Sequence, residues 1–260
     1  MTHIAEKGRN PGAVGAKRLA KLWCLVSLCL SMPATAFLKV PDTVFDKQLD
    51  SAVAYETRSL LMKFNYRTNS LAIGPYTGTW KNRKSSGGFL IGRKRKTSTD
   101  IVLEHEQHGT WEMFCSGMVK GIKIWGVSFD RTNKVDYQCV MRQGERQVLM
   151  QVLPFKQPRI SFGPPKENRT VNITLPSGDV WTAASVHALK KSRREALKPV
   201  GFEISQGDRV LGGLGRRDKK PVILLNSPAD QTEDAHLTFM SALGLQFFMN
   251  NDLSETPMDF

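Results

Sequence analysis

Asp230-Gln-Thr-Glu-Asp-Ala-His-Leu-Thr-Phe-Met-Ser-Ala-Leu-Gly-Leu-Gln-Phe-Phe-Met249 is unlike any other stretch of this 260-residue chain. Asp230 or Thr232 can cap a helix here, and the acids of the first turn suit the positive end of the helix dipole. From Leu237 onward, Phe239, Met240, Leu243, Leu245, Phe247 and Phe248 leave no polar face. A helix that is apolar all round belongs inside a core or a membrane. About fifteen apolar-rich residues fall short of the roughly 20 that span a bilayer. The expectation is therefore a core helix enclosed by something else.

The segments before it supply the enclosure. Met62 to Arg67, Trp111 to Cys115, Val135 to Met141 and Thr170 to Leu175 alternate apolar and polar residues, the period-two mark of strands with one buried face. Turn signals punctuate them at Gln107 to Gly109, Arg142 to Gly144, Pro176 to Asp179 and Gln206 to Asp208. Shorter apolar runs at Leu71 to Ile73, Phe89 to Ile91, Ile101 to Leu103, Ile122 to Phe129, Val148 to Leu153, Val180 to His187, Phe202 to Ile204, Val210 to Leu214 and Val222 to Leu225 bring the set to about a dozen strands. Strands and helices do not alternate, which argues against a doubly wound sheet. The fold class expected is mainly β: an antiparallel barrel of about 12 strands with a buried hydrophobic C-terminal helix.

The other end of the chain reads as an address. Lys7, Arg9, Lys17, Arg18 and Lys21 precede an uncharged run from Leu22 to Leu38, and Ala34-Thr-Ala36 fits the small-x-small requirement of signal peptidase. Residues 1–36 are read as a signal peptide cleaved after Ala36, and residues 37–260 as one exported β-rich domain, periplasmic or secreted. An uncleaved anchor is the competing reading. It is disfavoured by the short apolar run and by Pro33.

Charge is the strongest compositional signal. The chain holds 37 Lys and Arg against 24 Asp and Glu, a net +13, and removing the leader leaves +9 on the domain itself. The basic residues run together at Lys81 to Lys84, Arg93 to Lys96, Lys190 to Arg194 and Arg216 to Lys220. Such runs attract anionic partners, although each run alone is equally a solvated loop tip. Behind an export signal the anions expected are lipid headgroups or envelope polysaccharide, with nucleic acid not expected. The candidate contacts are Arg93, Lys94, Arg95 and Lys96, with Arg216, Arg217, Lys219 and Lys220 as a second patch.

Cys115 and Cys139 are the two cysteines beyond the leader, each on the apolar face of a strand from a neighbouring hairpin. In an exported chain an even pair reads as a disulfide, the alternative being two buried thiols. A bridge there removes roughly 3 kcal/mol of unfolded-chain entropy.

Catalytic signals are few. No G-x-S-x-G or S-x-x-K occurs. The glycines of Leu211-Gly-Gly-Leu-Gly-Arg216 lack the Lys-Ser/Thr ending of a phosphate loop and point to a bend or bulge. His105 and His108 in Leu103-Glu-His-Glu-Gln-His-Gly109 are the one pair with imidazole-ligand chemistry. On a strand they face opposite ways, so the expectation is an exposed polar hairpin and no cofactor. Three functions remain in order: a non-enzymatic module binding an anionic surface or lipid, a carrier of a small hydrophobic ligand, and a metal-dependent hydrolase using His105 and His108.

Gly201-Phe-Glu-Ile-Ser-Gln-Gly-Asp-Arg-Val-Leu-Gly-Gly-Leu-Gly-Arg216, then Pro221-Val-Ile-Leu-Leu225, then the helix from Asp230 follow one another as strand, Gly-Asp turn, glycine-ended strand, strand and apolar helix. This order resembles the end of the tubby C-terminal-like superfamily, which includes the phospholipid scramblases. The match covers about a quarter of the chain after the leader. It implies a helix-threaded barrel and a lipid-facing role, and it carries over no individual binding residue.

Overall fold

The computed structural model describes residues 42–57, 68–87, 92–124, 127–130, 136–155, 166–193, 195–218 and 220–251. The expected signal peptide, the expected strands at Met62 to Arg67 and Phe89 to Ile91, and Lys219 lie outside them. The strands are β1 (Val53–Glu56), β2 (Asn69–Ile73), β3 (Tyr76–Gly87), β4 (Gly92–His105), β5 (Gly109–Ile124), β6 (Val127–Asp130), β7 (Asp136–Gln143), β8 (Arg146–Val152), β9 (Thr170–Thr174), β10 (Val180–Val186), β11 (Gly201–Gln206), β12 (Arg209–Arg217) and β13 (Lys220–Leu225). One helix, α1 (Glu233–Asn250), follows.

Every pairing is antiparallel, in the order β1-β13-β12-β11-β10-β9-β8-β7-β5-β4-β3-β2, with β6 on β5. The path is a nearly closed barrel of twelve strands. It is a meander that returns only once, where β1 joins the last strand, so most pairings form between hairpin neighbours. Gly144 and Gly207 open two-residue hairpin turns with φ of +56° and +57°. A type II′ turn requires that sign at its first position, and glycine takes it without steric cost.

The strand alternation sets the inner wall. Trp111, Met113 and Cys115 of β5 are buried, as are Tyr137, Cys139 and Met141 of β7 and Val148, Met150 and Val152 of β8. The helix fills what they enclose. Thr232 Oγ1 accepts the Ala235 N–H at 3.1 Å to start it, and every residue from Ala235 to Phe248 is buried. Aromatic rings reach it from all round the wall. Tyr55 and Tyr76 meet Phe239, Trp80 meets Phe247, and Tyr137 and Phe202 meet Phe248. The helix expected from its unbroken apolar surface is thus enclosed, and its partner is the barrel wall.

Gly244 lets the helix approach that wall. A β-carbon there would sit 3.0 Å from Met150 Cε and 3.2 Å from Cys139 Sγ, and the Tyr137 hydroxyl donates to the Gly244 carbonyl at 3.3 Å. Glycine inside a helix costs about 1 kcal/mol relative to alanine, and here close packing offsets it. Cys115 and Cys139 are directly opposite on β5 and β7 and are joined by a disulfide, strand to strand. The glycine-rich β12 holds the expected bulge, because Ile204 pairs with Gly212 while Ser205 pairs with Val210, leaving Leu211 extra. Its Gly212 gives room to the helix: a β-carbon would stand 2.8 Å from Thr238 Cγ2.

At the far end of the helix the interior turns polar. Asn82 Nδ2 donates to Asn251 Oδ1 at 2.7 Å, and the hydroxyls of Thr97 and Thr99 donate to Asn82 Oδ1 at 3.4 and 3.3 Å. These are neutral groups satisfying one another, as buried polar side chains must.

Candidate functional site

Beyond this polar layer β3, β4 and β5 continue as long strands of 12, 14 and 16 residues, and the basic runs lie on them. Lys81 to Lys84 and Arg93 to Lys96 are therefore strand residues, and the loop-tip alternative fails for both. Register sets Lys96 opposite Ser85, Arg95 opposite Ser86 and Lys94 opposite Gly87. On the other side Lys94 faces Lys120 and Arg93 faces Gly121. Since Thr97, Thr99 and Ile101 point inward, Lys94 and Lys96 point out, and both are exposed. Arg95 shares the inward parity and is half-buried.

A groove of about 570 Å³ crosses these strands, with Arg83, Lys84 and Lys96 beside the hydroxyls of Ser85, Ser98 and Ser116. Arg83 is paired with Asp100 at 2.8 Å, and Asp136 supplies an acid to the groove lining. Cations with flanking hydroxyl donors form a surface suited to phosphate, sulfate or carboxylate groups.

The second basic patch is differently employed. The Arg217 guanidinium donates to the carbonyls of Leu49 at 2.8 Å and Ala52 at 3.3 Å, securing the short 3-10 turn Lys47–Leu49. The Arg216 backbone exchanges hydrogen bonds with Thr43, and Lys220 pairs with Glu56. These residues pin the segment before β1 to the β12–β13 hairpin. Of the run Lys190 to Arg194, Lys190, Lys191 and Arg193 are exposed in the irregular stretch after β10.

The turn between β4 and β5 departs most from expectation. His105 is buried, and its ring lies 4.8 Å from that of His108. The turn folds back and cancels the opposite parity of the two positions. His236 joins from the helix, stacked on His108 at 4.3 Å, and the Tyr76 hydroxyl meets His236 Nδ1 at 2.6 Å. No local pattern marks His236, since it reads as an ordinary first-turn residue. The rings stack and do not converge, and among the described residues no group of three or more His, Cys, Asp or Glu can hold a metal ion.

Burial holds His236 down to about 3, from an ordinary imidazole value of 6.5, with His108, His105 and Arg146 adding to the effect. Because the folded value lies below the unfolded one, the stability is fully present above 6.5 and drains as pH falls towards 3. Urea unfolding at a series of pH values is expected to show a loss of about 3 kcal/mol between about pH 7 and pH 4 from this group. His236→Phe should flatten that slope, and an unchanged slope would assign the acid sensitivity elsewhere.

A second histidine carries a serine partner. His187 Nε2 lies 3.0 Å from Ser185 Oγ and its Nδ1 lies 2.8 Å from the Ala196 carbonyl. Ser185 Oγ also accepts the Arg169 N–H at 2.9 Å, and His187 is buried. Every contact is internal, so the pair anchors the segment after β10 and presents no attacking hydroxyl.

No family model matches the chain, and no curated protein or solved structure does. The chain forms an antiparallel barrel filled by its own last helix, with a basic groove on long strands.

Proposed function

We propose that this is a non-enzymatic exported β-barrel protein that binds an anionic envelope surface or lipid through the basic face of β3, β4 and β5. The observation that supports the reading most is the register. It gathers Arg83, Lys84 and Lys96 from two separate runs onto one hydroxyl-lined groove, with exposed Lys94 two positions before Lys96 on the same strand. The carrier alternative loses ground, because the helix occupies the space a ligand would take. Membership of the tubby C-terminal-like superfamily belongs to the same proposal, supported by a hydrophobic helix enclosed by twelve antiparallel strands.

Each lysine near an anionic surface contributes about 1 kcal/mol, so Lys94→Gln with Lys96→Gln should weaken sedimentation with anionic phospholipid vesicles by roughly 30-fold. The salt dependence should flatten with it. A parallel titration with a soluble anionic polysaccharide separates the two sources of charge. Equal binding by the double variant and the native chain in both assays would remove the proposal.

A further inference from the structure

The turn joining β4 to β5 lies over the first turn of α1, held there by histidines. His105 Nδ1 accepts the backbone N–H groups of Gln107 at 3.0 Å and His108 at 3.2 Å. That fixes the neutral ring with its proton on Nε2. A second proton has only Nδ1 to occupy, where it would set a donor against two donors and cost the turn both bonds. The Nε2 atoms of His105, His108 and His236 are all sealed from solvent without a partner, so the cluster has no acceptor ready for added charge.

The surroundings from each packed element are known. Glu106 lies on the turn itself, and Asp230 stands ahead of the helix. Glu233 on α1 pairs with Arg146 at the start of β8, whose guanidinium lies 5.6 Å from the Trp111 ring of β5. Tyr76 of β3 bonds His236, and Gln143 of β7 donates to the His108 carbonyl. Arg146 and the neighbouring imidazoles oppose a further positive charge, and the acids sit at the exposed rim.

We propose that the turn between β4 and β5 is an acid-operated latch: protonation of His105 undoes the turn and lifts His108 from His236, uncovering the start of α1 while the strand pairing of the barrel is kept. The trigger lies below the ordinary imidazole range, because burial and then His108 lower His105.

Hydrogen exchange of the intact chain, read by mass spectrometry and corrected for the intrinsic effect of pH, tests this at about pH 7.5 and about pH 5. The peptide spanning 104–110 is expected to lose protection by about tenfold or more at the lower pH, with peptides of β7 and β8 unchanged. Asparagine at position 105 presents an oxygen that accepts the same two N–H groups and does not titrate, so His105→Asn should keep the turn protected at both values. Equal protection of the native turn at the two pH values overturns the latch, and so does a loss of protection in β7 and β8 alongside it. Should His105→Asn fail to fold, the native comparison decides alone.

Discussion

Phe239→Ala is expected to lower the unfolding free energy by about 3–5 kcal/mol, seen as a fall in the urea midpoint at an unchanged slope. Phe239 is completely buried, stacks on Tyr76 with centroids 4.2 Å apart, and meets Tyr55 edge-on at 5.7 Å. Truncation removes those contacts and leaves a hole. The cost lies at the upper end because strands surround the site, and a nearly closed wall of hydrogen-bonded backbone resists moving inward to refill it. A surface helix would give way and lose less. A measured loss below about 1 kcal/mol would show that α1 lies outside the core.

The disulfide carries the second large effect. Replacing both Cys115 and Cys139 by alanine should cost about 3 kcal/mol under oxidising conditions, since the bridge spans 24 residues of sequence and limits the unfolded chain. Reductant should lower the native midpoint by a comparable amount and leave the double variant unmoved. The bridge also faces Gly244, so its loss opens space against the helix backbone. A native midpoint indifferent to reductant would mean that the two sulfurs are not joined in solution.

How far the sequence speaks depends on what fills each layer of the barrel. Where the inner wall is Trp111, Met113, Cys115 or Val148, Met150, Val152, contrast with polar outer residues produces alternation, and those strands are legible. β3 shows no apolar alternation, because its buried Asn82 lies between Lys81 and Arg83, polar on polar. Thr97 and Thr99 mask the first half of β4 in the same way, so Arg93 to Lys96 carry no strand signal of their own. β1 is short and mostly exposed, and it is held by pairing with β13, which no local pattern announces. The histidine cluster was half legible. His105 and His108 stand out, while His236 arrives through tertiary packing across 128 residues of chain that no spacing rule reaches. Arg217 likewise reads as a free cation until the Leu49 and Ala52 carbonyls are placed beside it.

The order of elements along the chain carries a consequence for biosynthesis. Every strand of the barrel leaves the ribosome before the segment that fills it. Hairpins between neighbours can form early, but their inner faces have nothing to pack on until Glu233 to Asn250 emerges, so completion of the core waits for the end of translation. During that interval the nascent protein exposes apolar sheet surface and depends on holdase chaperones. A message truncated ahead of α1 yields a hollow, sticky product fit only for degradation. Under the export proposed above, the same delay is an advantage: the chain stays threadable for as long as its final helix is missing.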